Sequence, residues 1–598
     1  MNNTASDLQR RSARIDLGWA FLLVSTILTL SLATRTAPFT PDEPREFALS
    51  WSMLTQPNKA IPLLSGEAFC EKPPLTYWAA SLSMAVFGTE VWSSRLPNLL
   101  WALLTVAALI AMTRPLAPTE SQVRVGVLTA LIAATAYLLF RVEIWLATDA
   151  PLLAGTAIAL LGAWRGVSAD ERRRALGWFC VMHLGLALAF FAKNLLGWLV
   201  PVSSLVVWVV WQRRWRTLLH WELYAGLVLQ ALLIVPWIAS VAHSDNGWEY
   251  LRIFLYDNTV GRLLPIETVE QYQLGHANHP GKYLEELGYY LLPWTFATVG
   301  ALRWTVMQLR TRGRYASYLK FLIAGIVPGL LFLSLATTAR DVYCAPVMLG
   351  LATLTALWLS EGRRNDSRFD RICTALTIGS MVLLAFVIGT LALAIPLIQG
   401  LWTTSPAKWF AGSMAIALLL LAVKRWRGRW PDLRALLSAF AAYGIATIVV
   451  SVALFPALDT TQDLRPIARA VARDFADSRV GVLRNDETMR AYLDFGAGIR
   501  AENFRGLPEA VGWLKTSANR VFVVELYSDH LTPAARSRLA TAFPKLADAI
   551  RIDRNRQIDA FRAANISLLA QYSVKGGRTY GVWGDMTKIN EVNSALNP

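Results

Sequence analysis

The chain has 598 residues, 54% of them hydrophobic and 17% charged, with a mean hydropathy of +0.38 and a formal net charge of +16. So few charges exclude an ordinary soluble protein, which carries about 25%. The basic excess lies in short clusters beside apolar runs rather than on one patch, which argues against nucleic acid as a partner.

In chain order, apolar runs cover 17–34, 92–112, 125–140, 150–164, 176–192, 195–211, 222–241, 288–305, 320–336, 345–360, 372–398, 408–423 and 434–456. Each is close to the roughly 18 residues that cross a bilayer as a helix, and together they predict about 13 spans. The first run is longer than a signal-peptide core and lacks an A-x-A site, so it reads as an uncleaved span. Arg10, Arg11 and Arg14, then clusters at 165–174, 213–216, 310–320, 363–371 and 424–434, fall in the N-terminal tail or after even-numbered spans. That alternation predicts a cytoplasmic N-terminus. It leaves two long non-cytoplasmic loops, 35–91 and 242–287, within a membrane core of 1–456. From 457 to 598 the membrane-length runs stop. "VGVLRND", "RVFVVELY" and "TYGVWGDM" read as strands, with "LTPAARSRLATAFPKLADAI" as a helix, so a soluble α/β domain is expected on the non-cytoplasmic side.

The polar residues of the odd-numbered loops collect on that same face. "TPDEPREF" sets Asp42, Glu43 and Glu46 beside Arg45. Thr40, Pro41 and Glu43 fit a capping box, which accounts for Glu43 better than for Asp42, expected in the first helical turn. In "EKPPLTYW", Pro73 and Pro74 bar a helix through Glu71 and Lys72. Asp149 opens a span in "TDAP", where it or Thr148 is a candidate N-cap. Lys193 closes another in "FFAKNLLGW", where snorkelling to the interface is the plain reading. Arg262, His276, His279 and Lys282 lie in the second long loop, and Arg340 and Tyr343 stand where the chain re-enters the bilayer. Glu71 with either His276 or His279 offers a divalent metal too few ligands for a requirement to be expected. No cofactor is expected either. Cys70 and Cys344 share the non-cytoplasmic side, where a disulfide is allowed by compartment but not deducible from spacing. Ionisable groups at a membrane boundary default to a functional hypothesis. Cations such as Lys72, Lys193, Arg262 and Arg340, with Asp42, Glu71 and Asp149 among them, suit a phosphate carried by a lipid.

The order of these elements resembles the C-type glycosyltransferases, most closely the lipid A aminoarabinose transferase and protein O-mannosyltransferase-like family. The resemblance runs from "PDEPREF" and "EKPPLTYW" through "LATDAPL", "FAKNLLGWLVP", "YDNTVGRLLP" and "GHANHPGKYLEELGYYLLPW" to "ARDVYCAP", over about residues 15–360. Asn194 stands where the family usually has Gly, and Arg340 where Lys is common. The resemblance implies transfer of a sugar, with inversion, from a polyprenyl-phosphate donor to a lipid, glycan or protein acceptor at the outer face of the inner membrane. It assigns Lys72, Lys193, Arg262, Arg340 and Tyr343 to the donor phosphate and Asp42, Glu71 and Asp149 to catalysis. Glu43, His276 and His279 are further candidates. Protein O-glycosylation by the same fold, and a transporter or flippase for the lipid-linked sugar, are the alternatives. Gathering of charge at one interface, rather than at mid-bilayer, favours an enzyme.

Overall fold

The computed structural model describes residues 18, 22–39, 41–119, 121–258, 278–336, 340–362, 367–398, 433–528, 533–542, 552–553, 559–574 and 578–585. Among these, eight helices are long and apolar enough to cross a membrane, and Gln122–Thr135 with Tyr137–Glu143 makes a ninth, bent by 73°. One of the eight, Arg172–Trp211, has 40 residues. At about 1.5 Å per residue that is twice a bilayer core, so it cannot be one crossing. Asn194 takes a φ of +59° there and the chain doubles back, so that Trp198 Nε1 donates to the carbonyl of Leu186 at 2.9 Å. The run therefore supplies two of the expected spans. The expected span at 408–423 lies outside the described residues. That at 17–34 is helical at Gly18 and over Leu22–Ala33, the part that lies among the described residues, and that at 288–305 forms the 16-residue Thr295–Arg310, short for a crossing. The count of thirteen is not reached among the described residues. Val228, Leu232 and Val235 of helix Trp221–Ala242 stay exposed, as suits a lipid-facing surface.

Small residues set the closest packing. Helices Asp149–Val167 and Arg172–Lys193 run as an antiparallel hairpin whose backbones touch: a Cβ on Gly185 would lie 2.4 Å from the Ala159 nitrogen, and one on Gly155 2.6 Å from the Ala189 nitrogen. Glycine and alanine allow this approach where larger residues would hold the helices apart. The hairpin brings its first residue, Asp149, beside its last, Lys193.

At the same end of the bundle lie the elements of the 35–91 loop. Helix Glu43–Thr55 is followed by a hairpin of β1 (Leu63–Leu64) and β2 (Glu67–Ala68). Its turn uses Ser65 and Gly66 at φ of +53° and +85°, the left-handed pair that a tight two-residue turn needs. Helix Leu75–Phe87 starts directly after Pro73–Pro74, so Lys72 stays outside the helix as the prolines dictate, in a bend of the chain.

The last long helical run, from Arg434, is tied to the first: Ser451 Oγ meets Ser31 Oγ at 2.6 Å, and Asp459 accepts from the backbone nitrogens of Thr36 (2.5 Å) and Ala37 (3.2 Å). Beyond it comes a sheet of β3 (Arg479–Leu483), β4 (Glu502–Phe504), β5 (Arg520–Ser528), β6 (Ile552–Asp553), β7 (Ser567–Ser573) and β8 (Thr579–Gly584). Its order is β4-β3-β5-β8-β7, with β6 on β5; β3 runs parallel to β4 and β5, and the remaining pairs are antiparallel. All three strands expected from the sequence are present, and the expected helix is described over Pro533–Ala542. Helix Glu487–Ala497, between β3 and β4, packs on helix Glu43–Thr55, with Phe495 edge-on to Phe47 at 4.8 Å.

Candidate active site

Helix Glu43–Thr55 carries the centre of the site. Asp42 is the residue just before its first turn, not within it as expected, and makes no cap hydrogen bond. Its two oxygens instead accept a fork from Arg340, at 3.0 and 2.5 Å, while Arg45 Nη2 stands 3.5 Å away. Burial alone would raise this carboxyl. The Arg340 hydrogen bonds and the charges of Arg45, Arg340 and Lys72 overcome that, and Asp42 is held well below the usual carboxylate range.

One turn further, Glu46 is fully buried and gathers Lys72 (2.5 Å) and Arg45 (2.6 Å) on one oxygen and the Tyr77 hydroxyl (2.9 Å) on the other. Arg45 also donates to Glu487, on the C-terminal unit, at 2.5 Å. The sequence reading leaves Arg45, Glu46 and Tyr77 out of the site. Its overlooked signal is the i, i+3, i+4 spacing of Asp42, Arg45 and Glu46 in "DEPRE", which sets all three on one helical face.

Glu43 faces the opposite way. Its carboxylate accepts from Arg95 (2.6 and 2.8 Å), Arg35 (3.1 Å) and the backbone nitrogens of Phe39 (2.6 Å) and Leu146 (2.9 Å). Thr40, the partner in the expected capping box, lies outside the described residues. Every lone pair of Glu43 has a protein partner, so it binds the outer helix to the bundle and has none left for a ligand.

Lys193 pairs with Asp149, and its ammonium lies 4.0 Å from the Tyr343 ring centroid. Thr148 takes the N-cap position, which frees Asp149 for this pair. Asn194 takes φ +59° and ψ −154°, at the edge of a region that glycine adopts freely and other residues rarely enter. Its side chain donates to the Phe254 carbonyl at 2.8 Å, so the departure from Gly is accommodated. Beside Arg340, a cavity of about 410 Å³ opens against helix Lys282–Tyr290, lined by Lys282, Glu285, Glu286, Tyr289 and Asp341 among others.

The remaining expected residues differ in their placement. Glu71 is half-buried next to Lys72 and near enough for its charge to act on Arg45 and Tyr77 of the cluster, with no hydrogen bond to another described residue. His279 is exposed and meets Glu285 at 3.1 Å, not Glu71. Arg262 and His276 lie outside the described residues. Cys70 and Cys344 are both free thiols, so the disulfide that the compartment would allow is not formed. Among the described residues no group of three or more His, Cys, Asp or Glu side chains could hold a metal ion.

Glu43 and Glu46 resemble Asp42 in one respect. Burial raises them, but Arg95 and Arg35 in one case, and Lys72 and Arg45 in the other, bring both below the ordinary range. A carboxyl lowered by folding contributes stability above its unfolded pKa and loses it as pH falls through the folded value. Thermal unfolding in detergent is therefore expected to be level from pH 6 to 8 as regards these groups, and to drop below about pH 4.

Comparison with known proteins gives these contacts a setting. Residues 71–239 match the family described as dolichyl-phosphate-mannose-protein mannosyltransferase. The undecaprenyl phosphate-alpha-4-amino-4-deoxy-L-arabinose arabinosyl transferase of Pseudomonas paraeruginosa is 29% identical over 449 residues, which is 73% of this chain and 75% of that protein. Its counterpart from Pseudomonas aeruginosa is 30% identical over 316 residues, 52% of this chain and 54% of that one, so that alignment spans little more than half the relative. The crystal structure of ArnT from Cupriavidus metallidurans bound to undecaprenyl phosphate shares the fold, with a TM-score of 0.65 at 19% identity over 94% of this chain and 98% of that one. Its apo form superposes with a TM-score of 0.63. Sequence similarity and shared fold thus agree with the multi-pass bundle and its C-terminal sheet: the chain has the fold of the ArnT structures and is similar in sequence to the aminoarabinose transferases.

Proposed function

We propose that this protein moves a sugar from a polyprenyl-phosphate donor to lipid A or a similar phosphate-bearing envelope glycolipid, with inversion, at the outer face of the bacterial inner membrane. In this reading 1–456 is the membrane core, the N-terminus is cytoplasmic, and 457–598 stands with the active site in the periplasm. The observation that carries it is the convergence of Lys72, Arg45 and Arg340 on Asp42 and Glu46 at one end of the bundle, in a chain whose named relatives use an undecaprenyl-phosphate donor.

The chemistry follows from the charges. The bond between the anomeric carbon and the donor phosphate oxygen breaks, and the leaving lipid phosphate keeps the electron pair. Cations already in place lower that barrier without reorganising water. Lys72 and Arg340 take this role, with Lys193 and Arg262 assisting and Tyr343 orienting Lys193. Asp149 holds Lys193. Asp42, kept so far below neutrality, is a weak general base. That favours an acceptor that is already an anion, such as a lipid A phosphate, which needs no deprotonation; Asp42 then orients the sugar. Transfer to a protein hydroxyl would call for a stronger base.

Arg340 presents a fork that a lysine cannot copy. Arg340→Lys is expected to lower the transfer rate about 10-fold, equivalent to one charge-assisted hydrogen bond of about 1.5 kcal/mol. Steady-state kinetics on the purified variant checks this.

The direct test mixes purified protein, undecaprenyl phosphate-α-4-amino-4-deoxy-L-arabinose and lipid A, and follows lipid A by mass spectrometry. A mass gain of one aminosugar supports the reading. Donor binding without transfer would redirect the search to glycan or protein acceptors, and failure to retain any polyprenyl phosphate would overturn it.

A further inference from the structure

The C-terminal unit reaches the site through one side chain. Glu487, first residue of helix Glu487–Ala497, accepts from Arg45 Nη1 at 2.5 Å, while the Nε and Nη2 of the same guanidinium bond Glu46 at 3.1 and 2.6 Å. The contacts form one unbroken chain of charge. Glu487 meets Arg45; Arg45 meets Asp42 and Glu46; Asp42 meets Arg340, and Glu46 meets Lys72. Within these direct contacts three carboxylates meet three cations, with Glu71 acting on Arg45 from farther off, and the third contacting carboxylate is supplied from more than 400 residues away in sequence.

We infer that Glu487 is a positioning residue of the transferase site: it orients Arg45 and, by its charge, keeps the lipid-phosphate product from being held too tightly. This rests on the functional reading above. A phosphodiester donor carries one negative charge, whereas the released monoester carries between one and two. A cation cluster tuned to the donor therefore grips the product harder. Glu487 is the carboxylate of the chain farthest along from Lys72 and Arg340, and it is 30% exposed, so it opposes the anion without occupying its place. Its loss would leave the cluster one positive charge in excess and free one edge of Arg45 to turn fully onto Asp42, already 3.5 Å away.

The test compares wild type, Glu487→Gln, Glu487→Asp and Thr488→Val. Thr488 is the neighbouring contact of the same helix, donating to the Pro41 carbonyl at 3.1 Å, and its replacement removes a docking bond without changing charge. Undecaprenyl phosphate affinity in detergent and steady-state transfer kinetics are measured on each. Glu487→Gln is expected to bind undecaprenyl phosphate about 5-fold tighter, the effect of one unit charge in a partly solvated site, with KM and kcat falling together. The difference should shrink as salt is raised. Glu487→Asp should restore most of the wild-type behaviour, and Thr488→Val should match wild type in both constants. Wild-type affinity and kcat in Glu487→Gln would overturn the inference, as would weaker lipid binding in step with lost folded protein. A wild type that does not bind undecaprenyl phosphate at all would instead overturn the functional reading, and this inference with it.

Discussion

Lys72→Ala should lose bound polyprenyl phosphate on purification and transfer sugar about 100- to 1,000-fold more slowly, the usual effect of removing one preorganised group that stabilises developing charge. The expectation rests on how Lys72 is held. Two prolines keep it out of a helix, helix Leu75–Phe87 begins only after them, and its ammonium meets Glu46 at 2.5 Å. A lysine on a short non-helical link can leave a carboxylate for an incoming phosphate by rotating its own side chain. The loss should not be structural, because Glu46 keeps Arg45 and Tyr77 as partners in the variant. Mass spectrometry of copurified lipid and a thermal melt together separate the two cases. A variant that melts as wild type and still retains the lipid would remove Lys72 from the donor site.

Glu43→Ala, one residue from Asp42, should behave in the opposite way. It is expected to destabilise the protein by about 3–5 kcal/mol, because breaking a buried ion network strands its remaining charges. Arg35 and Arg95 are 4% and 0% exposed, and Arg95 would keep only the carbonyls of Arg35 and Ala37, both at 3.0 Å. The outer helix would then lose its anchor to the Leu146 nitrogen as well. Recovery of folded protein and the melting temperature in detergent should both fall sharply. Near-wild-type stability in Glu43→Ala would show that the network adds little to the fold.

Adjacent acids in "PDEPRE" thus have unlike duties, and the sequence could not divide them. Its pattern of apolar runs and basic clusters gave the membrane class, and three alternating stretches gave strands of the C-terminal sheet, because periodicity is a local property. Lys72 could be read as lying outside a helix because proline acts on its own neighbours. What stayed hidden depends on partners distant in the chain. Arg95 and Arg35 decide that Glu43 is structural, and Arg340 decides the fate of Asp42. The sequence reading names Glu46 among the acids of that face but gives it no role, yet it is the residue that holds Lys72. The sequence separates 176–192 from 195–211 although no polar loop lies between them, and the turn at Asn194 bears out that they are two helices.

That turn follows a hairpin zipped by glycine and alanine, and the zip has a mechanical consequence. Helices in backbone contact at Gly155, Ala159, Gly185 and Ala189 leave no slack for sliding or tilting. Lys193 and Asp149, at the open end of that rod, are stationary parts. Lys72, in the bend before Pro73–Pro74, belongs to no such rod. Under the proposed function a lipid phosphate arriving from the bilayer therefore travels to Lys193, and the adjustment that closes the site around it comes from the loop side.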